Sequence, residues 1–235
     1  MIATVINALA IIAGSALGLV VGRSIPERIM DTLLKGLALC VLLIAVSGIA
    51  RVSPSLSSQS MLVVIFSLAL GAVAGEAIDI DKRLQRFGDG IEARLKGRGG
   101  RVSEGFVTAS LVFCVGAMAI VGSLQSGLAG NHETLYSKSV IDGITAIVFT
   151  STLGIGVMLS AVSVFLYQGA ITLAAGSLKV LLTERAITEM TAVGSMLILA
   201  IGLNMLGMTK TKVANLLPGI FVPVACQTIL FFFGR

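Results

Sequence analysis

Carboxylates are the residues in this chain whose chemistry is hardest to place, because they interrupt stretches that are otherwise apolar. "KSVIDGITAIVFTSTLGIGVML", from Lys138 to Leu159, carries a single acid, Asp142. Glu189 stands just inside a second such stretch, Glu76 closes a third, and Asp31 opens a fourth. An ionisable group at membrane depth is costly and is a functional candidate by default. An acid in the first turn of a helix is favoured by the dipole, which would account for Asp31, Asp142 and Glu189 as caps. That account fails for Glu76, which sits where a helix ends. Glu76 therefore calls for a partner such as Lys35 or Arg28, a cation, or the membrane interface. Acids near both faces of a polar core would suit a path for a cation or proton.

Amides and hydroxyls supply such a core. "FCVGAMAIVGSLQSGLAG" gathers Gly116, Gly122, Ser123, Gln125, Ser126 and Gly127, the mark of a helix that breaks or kinks. Ser151 lies in the next apolar stretch beside Thr145, Thr150 and Thr152, and Ser160, Ser163, Tyr167 and Gln168 in the one after. Most Ser and Thr hydroxyls bond back to their own helix. The amides of Gln125, Gln168 and Asn204 need external partners, either as glue between helices or as the lining of a cavity. "NLLPGIFVP" follows Asn215 with Pro218, Gly219 and Pro223, so helical hydrogen bonds are lost there too.

The elements that must carry these groups are membrane helices. The 235 residues are 56% hydrophobic and only 12% charged, and the mean hydropathy is +1.01. Apolar runs recur at the ~20-residue length that crosses a bilayer as a helix. Barrel strands would alternate polar and apolar residues over about ten positions, and none do. The chain reads as an all-α, polytopic bundle forming one integral membrane domain, 1–235. Eight spans are expected at about 2–21, 30–49, 61–78, 106–128, 140–154, 156–178, 187–206 and 213–233. Leu153-Gly154-Ile155-Gly156 is the natural break between the fifth and sixth.

No basic region precedes Ile2, so the first span is expected to be retained rather than cleaved as a signal. Cys40, Cys114 and Cys226 fall within apolar runs and read as small buried hydrophobes, without metal-ligand spacing. The single histidine, His132, lies in a connector. No cofactor or metal is expected, and the net charge of +5 lies between spans, which is no nucleic-acid footprint.

Alternate connectors divide the seventeen Lys and Arg residues twelve against five. The richer side would be cytoplasmic, which puts both termini outside. Seven of the twelve lie in the connector 79–104, where Ile80, Leu84, Phe87, Ile91 and Leu95 keep helical spacing. That pattern fits a basic amphipathic helix on an anionic leaflet or a solvated linker helix, weakened at Gly88 and Gly90. "ERIMDTLLKGLALCVLLIAVSGI" from Glu27 echoes "ERAITEMTAVGSMLILAIGLNML" from Glu184. The echo suggests inverted three-helix repeats, 1–78 and 156–233, an arrangement common in secondary transporters. Gly14, Gly18 and Gly22, four apart, and Gly71 and Gly75 mark close-packing faces. They are expected to join the first span to the third, or else to support a homodimer.

Pro26-Glu27-Arg28, Gly75-Glu76-Ala77, Phe113-Cys114, "KSVIDG" at 138–143, "TAVGSMLILAIGLN" at 191–204 and "NLLPG" at 215–219 give the chain a resemblance along almost its whole length. It resembles the YqgA/YdfK-type bacterial inner-membrane proteins, the domain-of-unknown-function 554 family. The resemblance implies a multi-pass protein of the bacterial plasma membrane and supplies no substrate and no site residues.

The leading expectation is a secondary transporter or channel-like permease for a small polar or cationic solute. Its path would run through Glu76, Ser123, Gln125, Asp142, Ser151, Gln168, Glu189, Asn204 and Asn215. No P-loop is present, so an ion gradient would drive it. The alternative is an accessory membrane protein that binds a partner through its glycine faces. No HExxH or GxSxG motif is present, and an enzyme is not expected.

Overall fold

The computed structural model describes residues 1–23, 26–94, 101–115 and 117–233, and among these every regular element is helical. Eleven α-helices follow one another: α1 Ile2–Arg23, α2 Glu27–Val52, α3 Ser58–Ile78, α4 Ile80–Arg94, α5 Val102–Cys114, α6 Ala117–Ala129, α7 Glu133–Leu153, α8 Gly156–Leu173, α9 Ala175–Leu181, α10 Glu184–Met205 and α11 Val222–Phe233. A short 3-10 turn, Ser53–Ser55, follows α2, and a 3-10 helix, Val213–Phe221, leads into α11. Five helices (α1, α2, α3, α8 and α10) are long and apolar enough to cross a bilayer. The α5–α6 pair, bent by 58° at its break, makes a sixth crossing if it counts as one span. The protein is a polytopic helical membrane protein.

Local signals explain most boundaries. Ser57 caps α3 through the Ser60 amide at 3.2 Å, and Thr183 caps α10 through the Ala186 amide at 3.2 Å. Asn131 accepts from the Glu133 amide at 3.0 Å at the start of α7. Gly154, at φ 80°, ends α7 in a conformation that side chains resist, so the expected break between the fifth and sixth spans is present. The glycine-rich fourth span is broken between α5 and α6, and the Pro-Gly segment of the eighth is the 3-10 helix. Helix α4 runs unbroken through Gly88 and Gly90 and turns Ile80 and Leu84 onto the body of the protein. Leu95 and the side chains of Phe87 and Ile91 lie outside the described residues.

Helix α10 is the centre of the bundle. Two-thirds of its apolar window is buried (67%), against 22% for α2 and α3, whose outward faces present leucine, valine and phenylalanine to the surroundings. Antiparallel pairing with α2 is fixed at two levels: Gly48 meets Ser195, and Gly202 meets Leu42. Helix α1 lies parallel to α7, with Gly14 against Gly143, Gly18 against Ile147 and Gly22 against Ser151. A Cβ on Gly18 would come within 2.5 Å of the Ile147 carbonyl oxygen.

The glycine faces thus find partners other than the expected ones. Gly14, Gly18 and Gly22 pack on α7, while Gly71 and Gly75 pack on Gly219 and Asn215 of the 3-10 helix. The first and third spans do not join through these glycines. The physical reason is that each face needs a backbone that can come close: α7 offers Gly143, and the 3-10 helix offers Gly219. Cys40, expected to be buried, is exposed on α2.

Candidate functional site

Two carboxylate clusters emerge from this packing, one toward each end of the bundle. The first is built where α1, α7 and α8 meet. Lys138 and Asp142 stand one turn apart on α7, and Lys138 Nζ donates to both carboxylate oxygens at 2.8 and 2.7 Å. Asn7 of α1 donates from Nδ2 to Asp142 Oδ2 at 3.0 Å and to Gln168 Oε1 of α8 at 3.2 Å. All four side chains are buried, Asn7 and Gln168 completely. Burial of a charged pair is tolerable only with this kind of geometry, because two desolvated ions must recover their hydration from each other and from amides. Among the described residues, Asn7 Oδ1 and Gln168 Nε2 have no protein partner, nor do the hydroxyls of Thr4 and Thr172 one turn away on the same two helices.

Helix α7 begins at Glu133, seven residues before the expected span, so Asp142 lies in its third turn and not its first. The dipole account of Asp142 is therefore replaced by ion pairing. The same holds for Glu189, which is fully buried in the second turn of α10 and accepts from Arg185 Nε at 2.9 Å. Its other oxygen has no partner among the described residues.

The second cluster closes α3 against the 3-10 helix. Glu76 accepts hydrogen bonds from Lys212 Nζ and Asn215 Nδ2. Asn215 Oδ1 accepts from the Asp81 amide at 2.7 Å, which ties α4 to the same point. The Glu76 and Lys212 side chains are more than half exposed. The expected partners of Glu76, Lys35 and Arg28, are not used; Lys35 pairs with Asp31 at 2.8 Å. Lys212, which lies between α10 and the 3-10 helix, is held protonated above its ordinary range by its hydrogen bond to Glu76.

The remaining expected path residues serve local structure. Ser123 donates to the Ala119 carbonyl at 2.7 Å and Ser151 to the Val148 carbonyl at 2.8 Å. Gln125 is exposed and accepts from Thr134. Asn204 accepts from Thr209 and the Thr211 amide and donates to the Thr211 carbonyl, which folds the loop after α10. Asn7 and Lys138 were missed. Asn7 is a lone amide inside the first apolar run, and Lys138 is one turn from Asp142, so both signals were present.

Three cavities lie along α5 and α10. One of about 480 Å³ is lined by Ser47, Arg51, Lys138, Asp142, Thr145 and Ser195 among others. One of about 540 Å³ lies at the opposite end, between α4, α5 and the loop after α10, where Asp81, Arg101, Asn204 and Lys210 line it. An apolar cavity of about 350 Å³ stands between them. It shares Val115 and Thr191 with the first, and Leu84 and Val107 with the second. Val115, at the α5–α6 break, sits against Gly194 of α10. No group of three His, Cys, Asp or Glu side chains suited to a metal occurs among the described residues.

Residues 2–228 match the family described as "Protein of unknown function (DUF554)". The chain is 32% identical over 234 residues to the uncharacterized membrane protein YdfK of Bacillus subtilis (strain 168), covering 100% of this chain and 99% of that one. It is 28% identical over 222 residues to the uncharacterized protein YqgA of Escherichia coli (strain K12), with 92% of each covered. No solved structure gives a significant match.

Proposed function

We propose, for a chain that belongs to the DUF554 family of proteins of unknown function, that it is a secondary transporter or channel-like permease for small polar solutes in the bacterial plasma membrane. The observation that carries this reading is the succession of cavities along α5 and α10, with charged side chains in the lining at both ends of the bundle and lining residues shared from one cavity to the next. The break between α5 and α6 falls where the middle cavity meets the Arg51 cavity. A broken helix beside a glycine is a place where backbone can move and where free peptide groups can replace a solute's hydration.

The packing supports eight crossings in inverted repeats, with α7 and the 3-10 helix plus α11 as the added spans. Helix α1 packs on α8, α2 on α10, and α3 on the 3-10 helix and α11, and the α2–α10 and α3–3-10 pairs run antiparallel. On the Lys and Arg count, the end carrying α4 faces the cytoplasm and both termini face outward. The accessory alternative loses its main support, because the glycine faces are covered within the chain. The three acids that favoured a cationic solute are each engaged by a basic side chain.

The test is a shrink–swell assay on liposomes holding the purified full chain, challenged with glycerol, urea, sodium acetate and choline chloride. At least one solute should cross faster than in empty liposomes, and Thr191→Phe, between two cavities, should slow it. Equal rates with and without protein for all four would overturn the proposal.

A further inference from the structure

We infer that the solute is an anion with a carboxylate- or phosphate-like group, bound in the 480 Å³ cavity between α2, α7 and α10. This rests on the permease reading. Among the described residues, the charged side chains of that cavity are Arg51, Lys138 and Asp142. Both Asp142 oxygens are already taken, by Lys138 and Asn7, so the acid has little left to offer a cation. Lys138 spends two of its three N–H donors on Asp142, and the third has no partner among the described residues. Arg51 enters no hydrogen bond or ion pair with the described residues, which leaves a fork of five donors with full charge. Thr145 and Ser195 add hydroxyls. The unspent capacity of the cavity is thus donor-rich and positive, the arrangement that recognises planar or tetrahedral oxyanions.

The cavity at the α4 end has the same sign, with Arg101, Lys210 and Lys212 against Asp81 and Glu104. A basic excess at that end has an ordinary topological cause, since it is the end expected to be cytoplasmic. The excess at the Arg51 end has no such cause. A lining with more cations than acids at both ends of one path is what an anion route needs, while a cation route would meet repulsion twice.

The experiment is thermal unfolding of the detergent-purified full chain with sodium acetate, succinate or phosphate, against choline and putrescine chlorides at matched ionic strength. At least one anion should stabilise the protein saturably. Arg51→Gln, which alters an exposed side chain, should weaken its apparent affinity about tenfold or more. Arg51→Glu should lose the anion effect and gain one with putrescine, and elution as the same monodisperse species shows that both variants fold. Stabilisation by the cations alone, by none of the five, or equally in Arg51→Gln overturns the inference. An anionic lipid headgroup is distinguished in nanodiscs: if phosphatidylglycerol over phosphatidylcholine reproduces the effect and the soluble anions do not, the solute assignment is overturned. Failure here is separable from failure of the permease. Flux of glycerol or choline without any anion effect sinks this inference alone, and anion binding without any flux sinks the permease alone.

Discussion

The α1–α7 seam and the seam between α3 and the 3-10 helix are built from the same parts. Each brings glycines against a partner backbone, and each is pinned by a carboxylate that takes a lysine and an asparagine. They differ in burial. Lys138 and Asp142 are enclosed, with side chains 8% and 5% exposed, whereas Lys212 and Glu76 are 53% and 58% exposed. They differ also in the partner, a regular helix in one case and a proline-containing 3-10 helix in the other. One set of interactions therefore makes a buried joint and an exposed one. A permease that moves would be expected to move at the second.

The comparison requires the two seams to be pinned toward opposite faces of the membrane. In a background without the native cysteines, Asn131→Cys and Thr209→Cys place probes at the two ends. An impermeant thiol reagent applied to intact cells should label the first fully and the second hardly at all. Labelling of both, or of Thr209→Cys only, breaks the proposed orientation.

The next largest effect concerns burial. Lys138→Met leaves the buried Asp142 carboxylate without its cation, and removing one partner of a buried pair costs about 3–5 kcal/mol. Thermal unfolding in detergent should show a large loss for Lys138→Met and substantial recovery in Lys138→Met/Asp142→Leu. Lys212→Met, at the exposed cluster, should cost a small fraction of that, because water takes over the partner's solvation. Equal losses at the two lysines would remove the distinction between the joints.

Glycine substitutions test the seams themselves. Gly18→Leu drives a side chain into the Ile147 carbonyl and Thr150, and overpacking of this kind costs on the order of 1–3 kcal/mol or more. Gly71→Leu meets Gly219 and Leu216 in a segment without a full α-helical ladder, which can shift, so its loss should be smaller. A Cβ on Gly36 meets nothing within 4 Å, so Gly36→Leu serves as the control. A Gly71→Leu variant less stable than Gly18→Leu would mean that the 3-10 helix is the stiffer partner.

These contrasts also mark how far the sequence could be read. Breaks at Gly154 and in the Pro218 segment were legible because glycine and proline act locally on the backbone. The packing glycines were legible as faces, but their partners were not, since four-residue spacing says that something approaches and not what. Asp142 was visible as an acid in an apolar run. Its lysine was hidden because polar residues in the first two turns of α7 depress hydropathy and push the apparent start of the span past Lys138. Asn7 was passed over among strongly apolar neighbours, although a primary amide there needs a partner as much as Gln168 does. The charge of the cavity depends on which donors remain unspent, and that becomes visible only once the pairs have formed.

The smallest expected effect lies beside the exposed joint. Asp81, at the start of α4, has its carboxyl held above the ordinary range by partial burial, with Asp79 and Glu76 adding repulsion against the opposing pull of Lys212. A raised acid holds its proton more tightly in the folded protein, so its ionised form is a cost of folding. That cost is fully present above the raised value and vanishes below the ordinary carboxylate range of about 4. Asp81→Asn should therefore raise the melting temperature slightly at neutral pH, and the gain should fade as the pH is lowered toward about 4. Its Gln85 contact is lost or remade at either pH and cannot produce that slope. A gain that persists at low pH would point to helix packing in place of charge. A loss at neutral pH would show that the Lys212 attraction outweighs burial, and that the exposed joint is held more firmly than its solvation suggests.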